Sequence, residues 1–135
     1  LEGLPRALPA LQQAQRLQGR AARVGFDWDD VADVMAKIDE ELAETRDAMQ
    51  NNDMAHLREE LGDLLFAVVN LARFCDINAE EALRGTCKKF MRRFKGVEAR
   101  VRQRGQELHE CGLNALDADW NAVKRQEKAS RTDAS

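Results

Sequence analysis

The sequence predicts an all-α protein, a four-helix-bundle-like protomer with an additional short helix near its C-terminus. Three observations support this fold class. Both prolines stand within the first ten positions, so the rest of the chain keeps every backbone donor that a helix needs. Apolar residues recur at intervals of three and four, and no stretch alternates as a strand would. At 135 residues, the chain is long enough for one domain with one hydrophobic core.

A short glycine-containing turn separates the first two predicted helices. Helix one is expected over about 9–23, because a proline suits its first turn and a glycine can close its end. Helix two is expected over about 29–50, with Asp27 or Asp29 as its N-cap. Both helices carry apolar residues at helical spacing, so each has one face for the core.

The third and fourth helices are joined by a polar interruption at 76–78. Helix three follows a turn at 51–53 and is strongly apolar, so we expect it to supply the main core face. Its apolar stripe consists of Leu57, Leu61, Leu64, Val68, Leu71 and Cys75. Helix four is expected over about 79–103, because Asn78 and Glu81 have the spacing of a capping box.

The remainder of the chain is predicted to hold one short helix. A glycine-containing loop is expected at 105–115 and the helix over about 116–127. Residues 128–135 are small and polar, which is typical of a disordered tail. The sequence therefore predicts one domain over residues 1–127, followed by that tail.

Composition narrows the class of partner and the compartment. The 21 basic and 24 acidic residues give a net charge of −3, which provides no strong field for nucleic acid or an anionic membrane. Three widely spaced cysteines fit reduced thiols better than a disulfide framework or a zinc site. No apolar run approaches the roughly 18 residues that span a bilayer. We therefore expect a soluble cytoplasmic protein with neither nucleic acid nor membrane as a partner.

Two similar acidic modules stand on consecutive predicted helices. They read Glu40-Glu41-x-x-Glu44 on helix two and Glu59-Glu60-x-x-Asp63 on helix three. A single such pair is most often a solvated helix surface. Here, however, Glu60 lies only ~40° from Leu64 on the helical wheel, within the apolar arc. Glu41 lies ~60° from the stripe at Ile38. Both carboxylates should therefore point toward the edge of the core.

The third acid of each module, Glu44 or Asp63, lies one turn along the same side of its helix. If the helices pack antiparallel, four carboxylates converge beside the seam. Like charges this close require a cation, and oxygen ligands without histidine suit Mg²⁺ or Mn²⁺. A di-iron site is the competing interpretation, but neither histidine follows an acid at Glu-x-x-His spacing. The expected metal ligands are Glu41, Glu44, Glu60 and Asp63.

Further candidate contacts lie beyond the acids. Ala67 and Asn70 follow on the same face of helix three, where a small residue leaves room for a ligand and an amide can bind it. A merely polar edge position is the alternative for Asn70. In both interpretations, the face of helix three that carries the acids leaves room for a substrate.

Basic residues flank the phenylalanine stripe of helix four. Lys89 and Arg93 are spaced i,i+4 and can reach phosphates held by a metal. Trp120 and Lys124 repeat this spacing on the last helix, where an indole can stack on a base. The alternative is that the cations extend to solvent and Trp120 packs the helix onto the bundle. Together with the acids, these residues favour hydrolysis of a phosphate compound by metal-activated water.

The acidic modules and their surroundings resemble the MazG family, within the all-α NTP pyrophosphatase superfamily. The resemblance covers roughly residues 8–127. It includes Ala21-Ala22-Arg23-Val24-Gly25-Phe26-Asp27-Trp28, Gly62-Asp63-Leu64-Leu65-Phe66-Ala67, Asn70-Leu71-Ala72-Arg73 and Lys89-Phe90-x-x-Arg93-Phe94. Cys87 and Met91 stand where relatives commonly carry polar residues. Because such proteins often contain two related domains, and this chain does not begin with methionine, we expect it to be the second half of a longer protein.

The resemblance implies a homodimer that hydrolyses nucleoside and deoxynucleoside triphosphates to the monophosphate and pyrophosphate, clearing the nucleotide pool. The catalytic residues it implies are the four acids with Lys89 and Arg93. The nucleotide contacts it implies are Lys89, Arg93, Trp120 and Lys124. Glu40 and Glu59 are both candidates for the general base. An inactive helical dimer acting as a protein-interaction module, and an enzyme for one damaged nucleotide, are the alternatives.

Overall fold

The computed structural model describes the backbone of residues 3–4 and 7–134 and the side chains of residues 3–4 and 7–131. Over these residues the chain is all-α, without strands, as predicted. No helix in this part of the chain is both long enough and apolar enough to cross a membrane. The helices are α1 (Ala10–Arg23), α2 (Val31–Gln50), α3 (Met54–Phe74), α4 (Ala79–Gln103), the 3₁₀ turn Leu108–Glu110 and α5 (Leu113–Ala134). The chain forms two compact units, and the boundary between them lies within α4, after Leu83.

The N-cap of α2 is Asp30, whose Oδ1 accepts a hydrogen bond from the backbone N–H of Ala32 at 3.0 Å. The prediction of Asp27 or Asp29 as the cap is therefore wrong. Asp27 is engaged elsewhere, because its carboxylate pairs with Arg73 at 2.6 Å. The turn before α2 thus has its own anchor on α3.

In the first unit, α2 and α3 form an antiparallel hairpin around the turn at Asn51–Asp53. Asn52 adopts a φ of 52°, a left-handed conformation that asparagine tolerates well. Asp53 caps α3 by accepting a hydrogen bond from the N–H of His56 at 3.1 Å. The short turn fixes which faces of the two helices meet, and so brings the two acidic modules side by side.

Helix α1 packs against α3 and forms hydrogen bonds with the turn that joins α3 to α4. Gln15 donates to the carbonyl of Ile77 and accepts from the N–H of Ala79, both at 2.8 Å. Asn78 accepts a hydrogen bond from the N–H of Glu81 at 3.0 Å, which confirms the predicted cap of α4. These bonds satisfy the backbone groups between α3 and α4.

The prediction that the apolar stripe of α3 forms the main core is wrong within this protomer. Leu61 and Val68 are 45% and 46% exposed. The buried positions of α3 are Glu60, Ala67 and Val69 instead, because α1 and α2 cover a different side of the helix. An acidic residue therefore lies in the contact where leucines were expected.

In the second unit, Val97, Val101 and Val123 form a buried cluster between α4 and α5. A Cβ on Gly96 would lie 3.0 Å from Val123, so only glycine allows this close approach. Helix α5 runs from Leu113 to Ala134, longer than the predicted 116–127. It therefore continues into the segment assigned to a disordered tail, whose last residue, Ser135, lies outside the described residues.

Candidate metal and nucleotide site

Three carboxylates meet where α2 packs against α3. Oxygen atoms of Glu41, Glu60 and Asp63 all lie within 4.8 Å of one another. Glu41 and Glu60 are 5% and 8% exposed, whereas Asp63 is exposed. The predicted convergence of these side chains is observed, because antiparallel packing places the buried face of each module on the shared seam. Their function as metal ligands stays a prediction at this point.

Glu44 belongs electrostatically to the same cluster. Its pKa is raised to about 7, first because a proton on Glu44 is shared in a hydrogen bond with Glu60. The negative charges of Glu41 and Glu60 raise it further. Glu44 therefore retains a proton close to neutral pH when no cation is present.

Each buried glutamate has a basic or imidazole partner on one oxygen only. Lys37 Nζ lies 3.1 Å from Glu41 Oε1, and this hydrogen bond raises the pKa of Lys37. His56 Nε2 lies 3.0 Å from Glu60 Oε1. The second oxygen of each carboxylate, Oε2, is buried and makes no hydrogen bond within the described part of the chain.

These two oxygen atoms test whether the site suits a divalent cation. A buried carboxylate oxygen without a partner is unfavourable, since it has lost water and gained nothing in return. Glu41 Oε2 and Glu60 Oε2 are both in this state, and Asp63 adds a third carboxylate nearby. An all-oxygen set of this kind matches Mg²⁺ or Mn²⁺. The residues therefore fit a hard divalent cation.

The neighbouring acids face outward. Glu40 is exposed and lies 3.5 Å from Lys37, the residue that also holds Glu41. Glu59 is exposed on α3. Both candidates for the general base thus stand beside the buried acids with access to water, as the helical wheel predicts.

Asn70 lies farther along α3, where its amide is already engaged on one side. Its Oδ1 accepts a hydrogen bond from Arg73 Nε at 2.8 Å. Arg73 in turn pairs with Asp27, in the turn between α1 and α2. Asn70 is therefore not an isolated polar residue at the edge of the helix, and its orientation is fixed.

The predicted cations and tryptophan lie in the second unit. The Arg93 guanidinium carbon lies 5.8 Å from the centre of the Trp120 ring, and Arg93 Nε donates to Glu127 at 3.0 Å. Trp120 also packs against the valine cluster and Phe90, as the packing alternative predicts. The packing of α5 against α4 thus brings Arg93 and Trp120 together.

Lys89 and Lys124 are both exposed on this unit. Lys89 lies one turn before Arg93 on α4. Lys124 and Arg93 share an open depression of about 360 Å³ that also contains Asn121, Arg125, Lys128 and Arg131. With five of its six residues basic, this surface is electrostatically suited to an anion.

Sequence reasoning missed the residues that hold the functional side chains in place. Lys37 and His56 stand four residues before the buried glutamates, a spacing at which side chains of a helix meet. That spacing was a usable signal. The contacts of Glu127 with Arg93 and of Asp27 with Arg73 join residues 34 and 46 positions apart, for which one sequence offers no signal.

Comparison with known proteins identifies the family. A model of the MazG nucleotide pyrophosphohydrolase domain matches residues 29–98, more than half of the chain. The chain belongs to the MazG family. The matched region contains all four acids, Asn70, Lys89 and Arg93, whereas Trp120 and Lys124 lie beyond it.

Relatives within the MazG family carry informative names. A nucleoside triphosphate pyrophosphohydrolase of Escherichia coli is 48% identical over 131 residues, covering 94% of this chain and 49% of the relative. A nucleoside triphosphate pyrophosphohydrolase/pyrophosphatase MazG of Thermotoga maritima is 44% identical, covering 87% of this chain and 45% of the relative. The uncharacterized protein YabN of Bacillus subtilis is 44% identical over 96% of this chain. The chain spans about half the length of the first two.

Proposed function

We propose that this chain hydrolyses nucleoside and deoxynucleoside triphosphates to the monophosphate and pyrophosphate, as a Mg²⁺-dependent, cytoplasmic house-cleaning enzyme of the nucleotide pool. The observation that carries the proposal is the pair of buried glutamates, Glu41 and Glu60, each with one unpartnered oxygen. Such a site is unfavourable until a cation occupies it. The names of the Escherichia coli and Thermotoga maritima relatives support the same reaction.

Four carboxylates would hold the metal: Glu41, Glu44, Glu60 and Asp63. Mg²⁺, with Mn²⁺ as the alternative, would supply positive charge that neutralises phosphate oxygens and makes water more acidic. Lys37 and His56 hold the outer oxygens of the buried glutamates and so leave the Oε2 atoms for the cation. The orientation of both glutamates is therefore set before any cation binds.

A carboxylate beside the ligands accepts the proton of the water that attacks the α-phosphorus. Glu40 and Glu59 are the candidates, because both are exposed to water and adjacent to a buried acid in the chain. Glu40 differs from Glu59 in having a cation, Lys37, within 3.5 Å. Replacing each by glutamine identifies the base, since only the base variant loses the acidic limb of the pH–rate profile.

The basic residues of the second unit neutralise the charge that develops on the departing pyrophosphate. Arg93 suits this function because Glu127 engages its Nε and leaves the two terminal nitrogens for phosphate oxygens. Lys89 and Lys124 add positive charge, and Trp120 offers a ring face to the nucleobase. In the first unit, Asn70 contributes a further substrate contact through its amide.

We also propose that the chain forms a homodimer. Its first unit exposes apolar side chains on α2 and α3 that a second copy would cover: Met35, Leu42, Met49, Leu61, Leu65 and Val68. Part of this surface forms an open groove of about 690 Å³ along α3. Patches of this kind usually mark an association surface. Nucleic acid and membranes are not proposed as partners, because the net charge is only −3.

The function is tested by measuring pyrophosphate release from a panel of NTPs and dNTPs with Mg²⁺. We expect turnover by the wild type, loss of turnover in Glu41→Gln, and normal turnover in Glu81→Gln, the same change at an exposed position of the same unit. Absence of turnover on every nucleotide, or full turnover in Glu41→Gln, would exclude the proposal.

The inactive interaction module is the second candidate, and the exposed apolar surface favours it. It predicts that Mg²⁺ leaves the Tm unchanged, whereas ligation of the buried acids raises the Tm through preferential binding to the folded state. A thermal melt with and without Mg²⁺ therefore separates the two candidates without requiring a substrate.

A further inference from the structure

A polar network joins the turn between α1 and α2 to the last turns of α3. Arg73 donates to both oxygens of Asp27, from Nη2 at 2.6 Å and from Nη1 at 3.3 Å. Its remaining nitrogen, Nε, donates to Asn70 Oδ1 at 2.8 Å. Asp27 also accepts a hydrogen bond from the N–H of Trp28 at 2.7 Å. The Arg73 side chain is only 16% exposed, so it forms a fixed link between the two elements.

This network determines which end of the Asn70 amide is available. An amide has one accepting oxygen and one donating nitrogen, and Arg73 Nε can only donate. The oxygen must therefore face Arg73, and the NH₂ group must face away. That nitrogen donates no hydrogen bond to any of the described residues. Asn70 consequently presents two donor protons to any molecule beside it.

The position of this amide relates it to the acidic cluster. Asn70 follows Asp63 by seven residues, which is about 10 Å along the helix axis and only about 20° around it. The intervening residue on this face, Ala67, is small and buried. Asn70 therefore lies on nearly the same side of α3 as Asp63, at a distance that a nucleotide held by its phosphates at the acids can reach.

A second amide from α1 lies near the same level of α3. Gln18 donates from Nε2 to the carbonyl of Phe66, one turn before Asn70, at 2.8 Å. Its Oε1 is buried without a partner among the described residues. An unpartnered polar atom here indicates that this part of the α1–α3 contact is built for a polar ligand rather than as a dry core.

We propose that Asn70 donates its amide NH₂ to the nucleoside part of the substrate, and that Arg73 and Asp27 are positioning residues that fix this orientation. The inference rests on the proposed nucleotide hydrolysis. The recognised atom is an uncharged hydrogen-bond acceptor of the base or sugar, because the phosphates are held two turns away at the acids.

The test is a double-mutant cycle on nucleotide binding, using Arg73→Lys, Asn70→Ala and the double variant. Lysine keeps the charge that pairs with Asp27 but cannot direct a second donor to Asn70. Each single variant should raise KM roughly threefold to tenfold, the value of one hydrogen bond, with kcat unchanged. The double variant should be no worse than Asn70→Ala, since Arg73 acts through Asn70.

Two controls make the result specific. Arg100→Lys makes the same substitution at the arginine–aspartate pair of the second unit and should leave KM unchanged. Calorimetry with inorganic triphosphate, which has no nucleoside, should give the same Kd for all variants, and ribose 5-triphosphate then separates a sugar contact from a base contact. Additive effects, an equal loss of triphosphate binding, or an unchanged KM in Asn70→Ala would overturn the inference.

Calorimetry with a nonhydrolysable nucleoside triphosphate analogue keeps this inference separable from the proposed function. A wild type that binds the analogue but hydrolyses no nucleotide refutes the hydrolysis, and the cycle on the analogue Kd still decides the function of Arg73. A wild type that does not bind the analogue refutes both. A melting curve of each variant excludes loss of folding as the cause of weaker binding.

Discussion

Each unit of the molecule buries carboxylates, but only one unit satisfies them. Asp119 in the second unit is 3% exposed, and both of its oxygens accept hydrogen bonds, from Arg100 and Arg104. Glu41 and Glu60 in the first unit are buried almost as completely, yet one oxygen of each has no partner among the residues that the structure describes. The difference is between a carboxylate that completes a protein contact and one that keeps an oxygen available for the proposed cation.

Burial alone is therefore not the sign of a functional acid. The two arginines lower the pKa of Asp119, Arg104 having the larger effect, as in an ordinary structural ion pair. In the first unit the neighbours of Glu44 are themselves acids, and they raise its pKa to about 7. The lowered pKa of Asp119 and the raised pKa of Glu44 therefore show that carboxylate charge is compensated in the second unit and uncompensated in the first.

The largest expected effect concerns activity. Glu41→Gln removes one charge from the proposed metal site and should lower kcat/KM by roughly 10²–10³-fold, the effect of losing one electrostatic contribution to the transition state. Asp119→Asn makes the equivalent change at the satisfied acid and should keep kcat/KM close to that of the wild type below its melting temperature. Steady-state pyrophosphate release measures both variants. Equal losses in both would remove the distinction between the two buried acids.

The stability of the same variants should follow the opposite order. Asp119→Asn leaves two arginines facing a neutral group and should lower the Tm by roughly 5–10 °C. Glu41→Gln relieves repulsion in the acidic cluster, so its Tm in EDTA should equal or exceed that of the wild type. Scanning calorimetry in EDTA measures both. A large loss of Tm in Glu41→Gln would show that this acid is structural as well.

A smaller effect is expected from His56, which holds the outer oxygen of Glu60. His56→Leu leaves that carboxylate without its orienting donor and should weaken Mn²⁺ binding by about tenfold, as is typical when a partner of a metal ligand is removed. His109→Leu is the comparison variant, because His109 is exposed in the second unit beside Glu107 and Glu110 and reports any Mn²⁺ bound by that group. Calorimetric titration with Mn²⁺ measures both, and identical affinities would mean that Glu60 needs no orientation.

The acidic cluster could be predicted from the sequence because its geometry is local. Residues three, four and seven apart share a helix face, and a three-residue turn leaves little choice in how α2 meets α3. Local spacing also predicts on which face of its own helix each of Arg93 and Trp120 lies. Their contact with one another requires, in addition, that α4 and α5 pack together.

What could not be predicted depends on partners distant in sequence. The capping function of Asp27 was a reasonable local interpretation, but Arg73, 46 residues later, competes for that side chain. Periodicity predicts that the leucine stripe of α3 belongs to the core, because it shows that a face is apolar but not what covers that face. Leu61 is 45% exposed, so nothing in the described part of the chain fully covers that face.

The smallest expected effect is the pH dependence of stability without metal. Since the pKa of Glu44 is about 7 in the folded state and 4.5 ordinarily, the folded state binds more protons between these values. Stability in EDTA should therefore decrease as pH rises from about 4.5 to about 7. Glu44→Gln should flatten this slope of Tm against pH.

The lowered pKa of Asp119 affects stability in another pH range, because the stabilisation it provides is lost only as pH falls below 3.8. Asp119→Asn should accordingly keep the slope above pH 4.5, and a slope that persists in Glu44→Gln would locate the retained proton elsewhere.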